Sequence, residues 1–135
     1  MAPGAPGPAP GRLPNRRDFL RVQAGRRVAM PGFVLQIAPA PESVPAVRVG
    51  FTVSRKVGNA VVRNRVRRRL REVVRSVIPA KARPDLDYVL VGRQAAVSRD
   101  FAVLCEELVE ALRRLKALAP GAVEATPTGA NGATP

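Results

Sequence analysis

Apolar positions along this chain recur at two spacings, and the change of spacing marks the change of element. From Arg48 to Ser54 they alternate: Val49, Phe51 and Val53 share one face, and Arg48, Gly50, Thr52 and Ser54 share the other. That predicts a strand with one face for a core and a polar face that either meets water or floors a groove. After Gly58 and Asn59 the spacing becomes three and four, with Val62, Val66, Leu70, Val73, Val74 and Val77 forming one stripe. A helix to about Ile78 follows, with Pro79 as its stop. Phe101, Leu104, Cys105, Leu108, Leu112 and Leu115 make the inward stripe of a last helix, for which Ser98 is the expected cap. Phe33–Ile37 and Tyr88–Gly92 are strands by content. Arg16–Ala24 reads as a short helix carrying Phe19, Leu20 and Val22, with Asn15 as N-cap and Gly25 at its end. The three prolines between Pro39 and Pro45 mark a loop. Helix, strands, helix, strand, helix is the order of an α+β domain, a mixed sheet covered by helices.

Both ends depart from this patterning. Residues 1–11 and 119–135 are almost entirely small residues, Pro and Gly, too poor in apolar surface to offset ordering entropy, and are expected to be disordered tails. The domain is then 12–118, with no internal repeat. The single Cys105 cannot form an intramolecular disulfide, and its apolar neighbours suggest a core thiol. No apolar run is long enough to span a bilayer, and a cytosolic protein is the simplest expectation.

Charge changes the picture most. Lys and Arg number 23 against 10 Asp and Glu, a formal charge of +13, and 20 of the 23 are arginine, whose planar fork pairs two phosphate oxygens at once. Such a charge speaks to partners rather than fold: nucleic acid first, an anionic membrane second. Seven arginines crowd the long helix, at 63, 65, 67, 68, 69, 71 and 75. At about 100° per residue, Asn64, Arg67, Arg68, Arg71 and Arg75 share a sector away from the valine–leucine stripe. Like charges four apart destabilise a helix by a few tenths of a kcal/mol, and only Glu72 offers relief. A face meant only for solvation could mix signs, as the last helix does with Glu106, Glu107 and Glu110. A polyanion removes the repulsion and releases its own counterions. The stripe has no aromatic and is committed to the sheet, which argues against membrane adsorption.

The segment from Val49 to Glu72 (VGFTVSRKVGNAVVRNRVRRRLRE), centred on Arg63-Asn64-Arg65, resembles the signature of the bacterial ribonuclease P protein family. The likeness runs from Arg12-Leu13 and Asp18-Phe19 through Asp87-Tyr88-Val89 into the last helix. It implies a single-domain α–β sandwich in the order α-β-β-β-α-β-α, with a mixed four-stranded sheet and a left-handed βαβ crossover around the arginine helix, against the general right-handed rule. It also implies two RNA surfaces. The catalytic RNA would meet Arg55, Lys56, Asn59, Arg63, Asn64, Arg65, Arg67, Arg68 and Arg71. A cleft between the first helix and the sheet would take the 5′ leader of precursor tRNA, with Phe19 and Thr52 in it. Gln23 and Gln36 stand where the family often has aromatic residues, and Arg69 where a leucine is common. Alternation assigns Phe33 and Phe51 to the core instead.

The chain has no histidine, no carboxylate cluster suited to a two-metal nuclease, and no base near Cys105 in sequence, so no catalytic residue is expected in the protein. Asp85 and Asp87 read as a loop pair without further ligands, so no metal site is expected. The resemblance agrees: it implies an endonuclease in which the RNA subunit and its magnesium ions hydrolyse the phosphodiester, while the protein binds no cofactor of its own. The expected partners are the catalytic RNA and precursor tRNA, with no membrane and no obligatory protein partner. The alternative is a ribosomal-type RNA scaffold with no role in cleavage, which would need the arginine helix but no open polar cleft beside Phe19.

Overall fold

Each apolar stripe finds an opposing surface, and together they close a three-layer arrangement. The computed structural model describes residues 10–41 and 47–119. The elements are β1 (Gly11–Arg12), α1 (Arg16–Gln23), β2 (Arg26–Ala29), β3 (Phe33–Pro39), β4 (Arg48–Thr52), α2 (Ala60–Lys81), β5 (Leu86–Gly92) and α3 (Phe101–Arg114). Short 3₁₀ turns at Arg55–Val57 and Gln94–Val97 precede α2 and α3. The sheet order is β1-β4-β5-β3-β2: β4 lies parallel to β1 and β5, and β3 antiparallel to β5 and β2. Helix α2 therefore makes the crossover between adjacent parallel strands.

The alternating strands sort their side chains between the two faces. Phe33, Leu35 and Ile37 of β3, Tyr88 and Leu90 of β5 and Val49 of β4 join Val66, Leu70, Val73 and Val77 of α2 and Leu104, Leu108 and Leu112 of α3 in one core. On the other face α1 packs through Val22, with Leu13, Ala38 and Val89 buried beneath it and Phe19 half-buried. Both Phe33 and the valine–leucine stripe are where alternation and periodicity put them.

The differences from expectation have local causes. The sheet has five strands rather than four, because Gly11–Arg12 adds a short parallel edge: the Gly11 N–H donates to the Val47 carbonyl at 2.8 Å. Gly11, assigned to the tail, thus belongs to the domain, and so does Ala119, whose N–H reaches the Lys81 carbonyl at 2.8 Å. The rest of the expected tails, 1–9 and 120–135, lies outside the described residues. Pro79 does not stop α2, which continues to Lys81. A proline in the last turn removes only one i→i−4 bond; Val77 and Ile78 stay buried, and the Ala82 N–H closes on the Ile78 carbonyl at 3.0 Å. Helix α3 starts after Asp100 rather than after Ser98, since the 3₁₀ turn holds the chain through Val97. Phe101, expected inward, is exposed at the helix start, and Cys105 is only half-buried. Asp87 is not in a loop but within β5.

Among the described residues no helix is long and apolar enough to cross a membrane.

Candidate nucleic-acid interface

Helix α2 is started by its own sequence. The Asn59 Oδ1 accepts the Val62 N–H at 3.0 Å, a side-chain cap on an otherwise unsatisfied donor. Burial of the stripe then fixes the helix's rotation and turns the cationic sectors outward. Arg65, Arg68, Arg71 and Arg75 are exposed, as are Arg55 and Lys56 in the preceding turn. Arg63 and Arg67 are half-buried; Arg67 donates to the Asn64 Oδ1 at 3.0 Å, while the buried Arg63 Nε has no protein partner. The Arg71 guanidinium lies over the Phe51 ring, 5.8 Å from its centroid.

The ion pairs of the fold lie away from this surface. Arg21 and Arg48 converge on Asp87 and Asp18; Arg83 pairs with Asp85, Arg99 with Glu107, and Arg113 and Arg114 with Glu110. None of the seven α2 arginines has a carboxylate within ion-pair distance among the described residues. The paired carboxylates all neutralise arginines outside α2. Arg69 is the exception in role: it donates to the carbonyls of Ala96 and Val97 at 2.8 and 3.0 Å, tying the 3₁₀ turn to α2. Its charge is used inside the fold, a finding the sequence did not reveal.

The cleft expected beside α1 is present, a cavity of 400 Å³ bordered by Asn15, Arg16, Phe19, Leu20, Gln23, Phe51 and Thr52, with Leu13 and Pro14 at one end. Asn15 also caps α1, accepting the Asp18 N–H at 3.1 Å. Phe19, Gln23 and Thr52 thus border one cavity. Gln36 does not: at 4% exposure it sits inside the sheet–α1 layer, off the cleft lining, its Oε1 without a protein partner. Leu20, read as an apolar position of α1, is 49% exposed at the cleft rim. Phe51 packs against the main core yet also borders the cleft, so the assignment to core alone was too simple.

Two devices set the pose of α1. A Cβ on Gly50 would lie 2.5 Å from the tip of the Phe19 ring, so glycine is what allows the ring to rest on the sheet. At the other end the fully buried Asp87 carboxylate accepts Arg48 through Nε at 3.1 Å and Nη2 at 2.7 Å, and Arg21 of α1 as well. Arg21 also donates to the Pro39 carbonyl at 2.6 Å. The hydrogen bonds that Arg48 donates to Asp87 raise its affinity for its proton above that of the ordinary guanidinium.

A second cavity, of 280 Å³, lies between β1 and α2. Arg12, Arg67, Arg71 and Arg75 stand around it, and Phe19, Val49, Phe51 and Val74 supply apolar surface. It shares Leu13, Phe19 and Phe51 with the cleft. The sequence offered no signal for it, because the strand that forms one wall is only two residues long.

Among the described residues no three His, Cys, Asp or Glu side chains are grouped to hold a metal ion. Fold and site together define a basic α+β protein with an unneutralised arginine helix beside an open cleft, a surface suited to a phosphate-bearing chain. Residues 8–116 match the Ribonuclease P family, and the chain belongs to it. It is 53% identical over 111 residues to the ribonuclease P protein component of Paramagnetospirillum magneticum, covering 79% of this chain and 84% of that one. The solved RNase P protein of Staphylococcus aureus superposes with a TM-score of 0.65 at 28% identity, covering 80% of this chain and 97% of the other. That of Thermotoga maritima gives 0.60 at 32% identity, with 76% and 96% covered. Membership carries a role in tRNA 5′ processing and an RNA partner.

Proposed function

We propose that this protein binds the catalytic RNA of ribonuclease P through α2 and the 5′ leader of precursor tRNA through the α1 cleft, promoting removal of the leader by the RNA. The observation that carries the reading is the segregation of charge: the carboxylates of the ion pairs neutralise arginines elsewhere, and among the described residues those of α2 have no carboxylate partner. Repulsion of that kind is relieved when phosphates arrive and counterions leave. The cleft complements it with an aromatic ring, an apolar rim and amide and hydroxyl groups, the mixture that holds unstacked bases. Hydrolysis is left to the catalytic RNA and its magnesium ions, and the chain's part is to bind, orient and steady.

Damaging the two surfaces separately tests this. Arg65→Ala with Arg68→Ala removes exposed donors and leaves the buried stripe alone, so assembly with the catalytic RNA should weaken while the fold holds. Phe19→Ala should lower the assembled enzyme's affinity for precursor tRNA with a leader and spare both assembly and mature tRNA. If both variants fail at the same step with the fold intact, a single-surface RNA scaffold is the better account. Rigorously RNA-free protein should not cleave precursor tRNA; cleavage that disappears on denaturing the protein would contradict the division of labour.

A further inference from the structure

We propose that the cavity between β1 and α2 is a nucleotide pocket, taking one unpaired nucleotide of the same single strand whose neighbours occupy the α1 cleft. The inference rests on the cleft being the leader site and extends it across the sheet edge. Charge is the first argument. Arg12, Arg67, Arg71 and Arg75 border the cavity, no carboxylate does, and none of the four is ion-paired among the described residues. Four guanidiniums around one concavity call for a phosphate, and arginine suits it through two parallel hydrogen bonds.

The floor is the second argument. A site for phosphate alone needs no apolar surface, yet Phe19 and Phe51 both reach this one, and the Arg71 guanidinium carbon lies 5.8 Å from the Phe51 ring centroid, within cation–π range. Guanidinium and ring offer a base two stacking partners of the kind that single strands use without regard to sequence. At 280 Å³ the cavity is at the small end for ligand pockets, room for one nucleotide and not for a duplex.

Continuity identifies the strand. Strand β1 pairs only with Arg48 and Val49, so the outer edge of β4 beyond them has no strand beside it among the described residues. The two cavities meet there, at Leu13, Phe19 and Phe51. Arg65 and Arg68 border neither cavity. Within the cationic face of the helix, Arg67, Arg71 and Arg75 are therefore the arginines that border the second cavity.

The test uses full-length protein assembled with the catalytic RNA and precursor tRNAs whose leaders lengthen one nucleotide at a time. Arg12→Ala and Arg75→Ala, made separately, are the two pocket variants, since both residues are exposed, outside the core and off the α1 cleft. Wild-type affinity should rise with leader length in two stages. Both variants should lose the later stage, about tenfold in Kd as expected for one stacked and phosphate-paired nucleotide, with short-leader affinity and assembly unchanged. An equal loss at every length, mature tRNA included, would overturn the pocket in favour of diffuse electrostatics. A loss of assembly affinity would give the cavity to the catalytic RNA instead. A two-stage rise that both variants keep sinks the pocket alone, whereas a wild-type enzyme indifferent to the leader sinks the cleft and the pocket together.

Discussion

Phe19 carries two duties, and the contact with Gly50 shows why they are coupled. The ring is half-buried, resting where a Cβ at position 50 would come within 2.5 Å, and its remaining surface borders the cleft. Phe19→Ala should weaken leader binding by about 1–3 kcal/mol, the worth of a stacked base. Gly50→Ala should do the same without touching the ring's chemistry, by lifting it off the sheet. Equilibrium binding with and without a leader checks both, beside a thermal midpoint that separates misplacement from unfolding. Asp87 is the residue whose importance the sequence concealed. It looked like half of a loop pair, because nothing local reveals that Arg21 and Arg48, 66 and 39 positions away, would close on it. Removing one partner of a buried pair leaves uncompensated charge, so Asp87→Ala should cost about 3 kcal/mol in urea unfolding. Glu110 gives a weaker, pH-dependent effect. The Arg113 hydrogen bond, assisted by Arg114, holds its carboxyl at about 2, below its ordinary value of 4.5. The lowered value means that its contribution is present above about pH 4.5 and is lost as pH falls toward 2. Glu110→Gln should flatten the acid limb of the stability curve across that window, and an unchanged limb would mean the pair contributes nothing.

At the scale of elements, periodicity was a good guide wherever the stripe was long. The α2 stripe and the β4 alternation read directly from spacing because each buries one face against a continuous core. Short or edge elements escaped it: β1 is two residues, paired with a strand 37 positions further on, and α1 buries fully only Val22. The candidate site divides the same way. Side chains set by α2 were legible, whereas Gln36 was misread because a polar residue on the α1 face of β3 can be covered by the helix as easily as it can face a cleft. Arg69 shows that an arginine-rich helix is not uniformly an interface. Arg69→Ala should lower the unfolding midpoint through the loss of its bonds to Ala96 and Val97 and leave RNA affinity nearly unchanged. Arg65→Ala with Arg68→Ala should do the reverse, with stability unchanged or higher as repulsion is relieved. Melting curves and RNA binding on the same preparations decide between the two roles.

For the whole molecule the governing facts are a formal charge of +13 and its uneven placement. Affinity for the catalytic RNA should fall steeply with salt, because each phosphate contact releases counterions and several act together. A nearly flat dependence from low to physiological salt would mean that α2 is not a phosphate-binding surface. Truncation belongs at this scale too. A chain of residues 10–119 keeps the Gly11 and Ala119 hydrogen bonds and should bind the RNA within a few-fold of full length, whereas starting at Leu13 removes β1 and one wall of the second cavity. The most direct measurement of the central claim is cleavage of precursor tRNA by a bacterial ribonuclease P RNA at magnesium too low for that RNA to work alone. Adding the purified full-length protein should restore cleavage at the mature 5′ end, more strongly for substrates with a leader, and the Arg65→Ala, Arg68→Ala protein should fail at concentrations where wild type succeeds. No stimulation by a folded protein that still binds the RNA would contradict the account and leave a scaffold in its place.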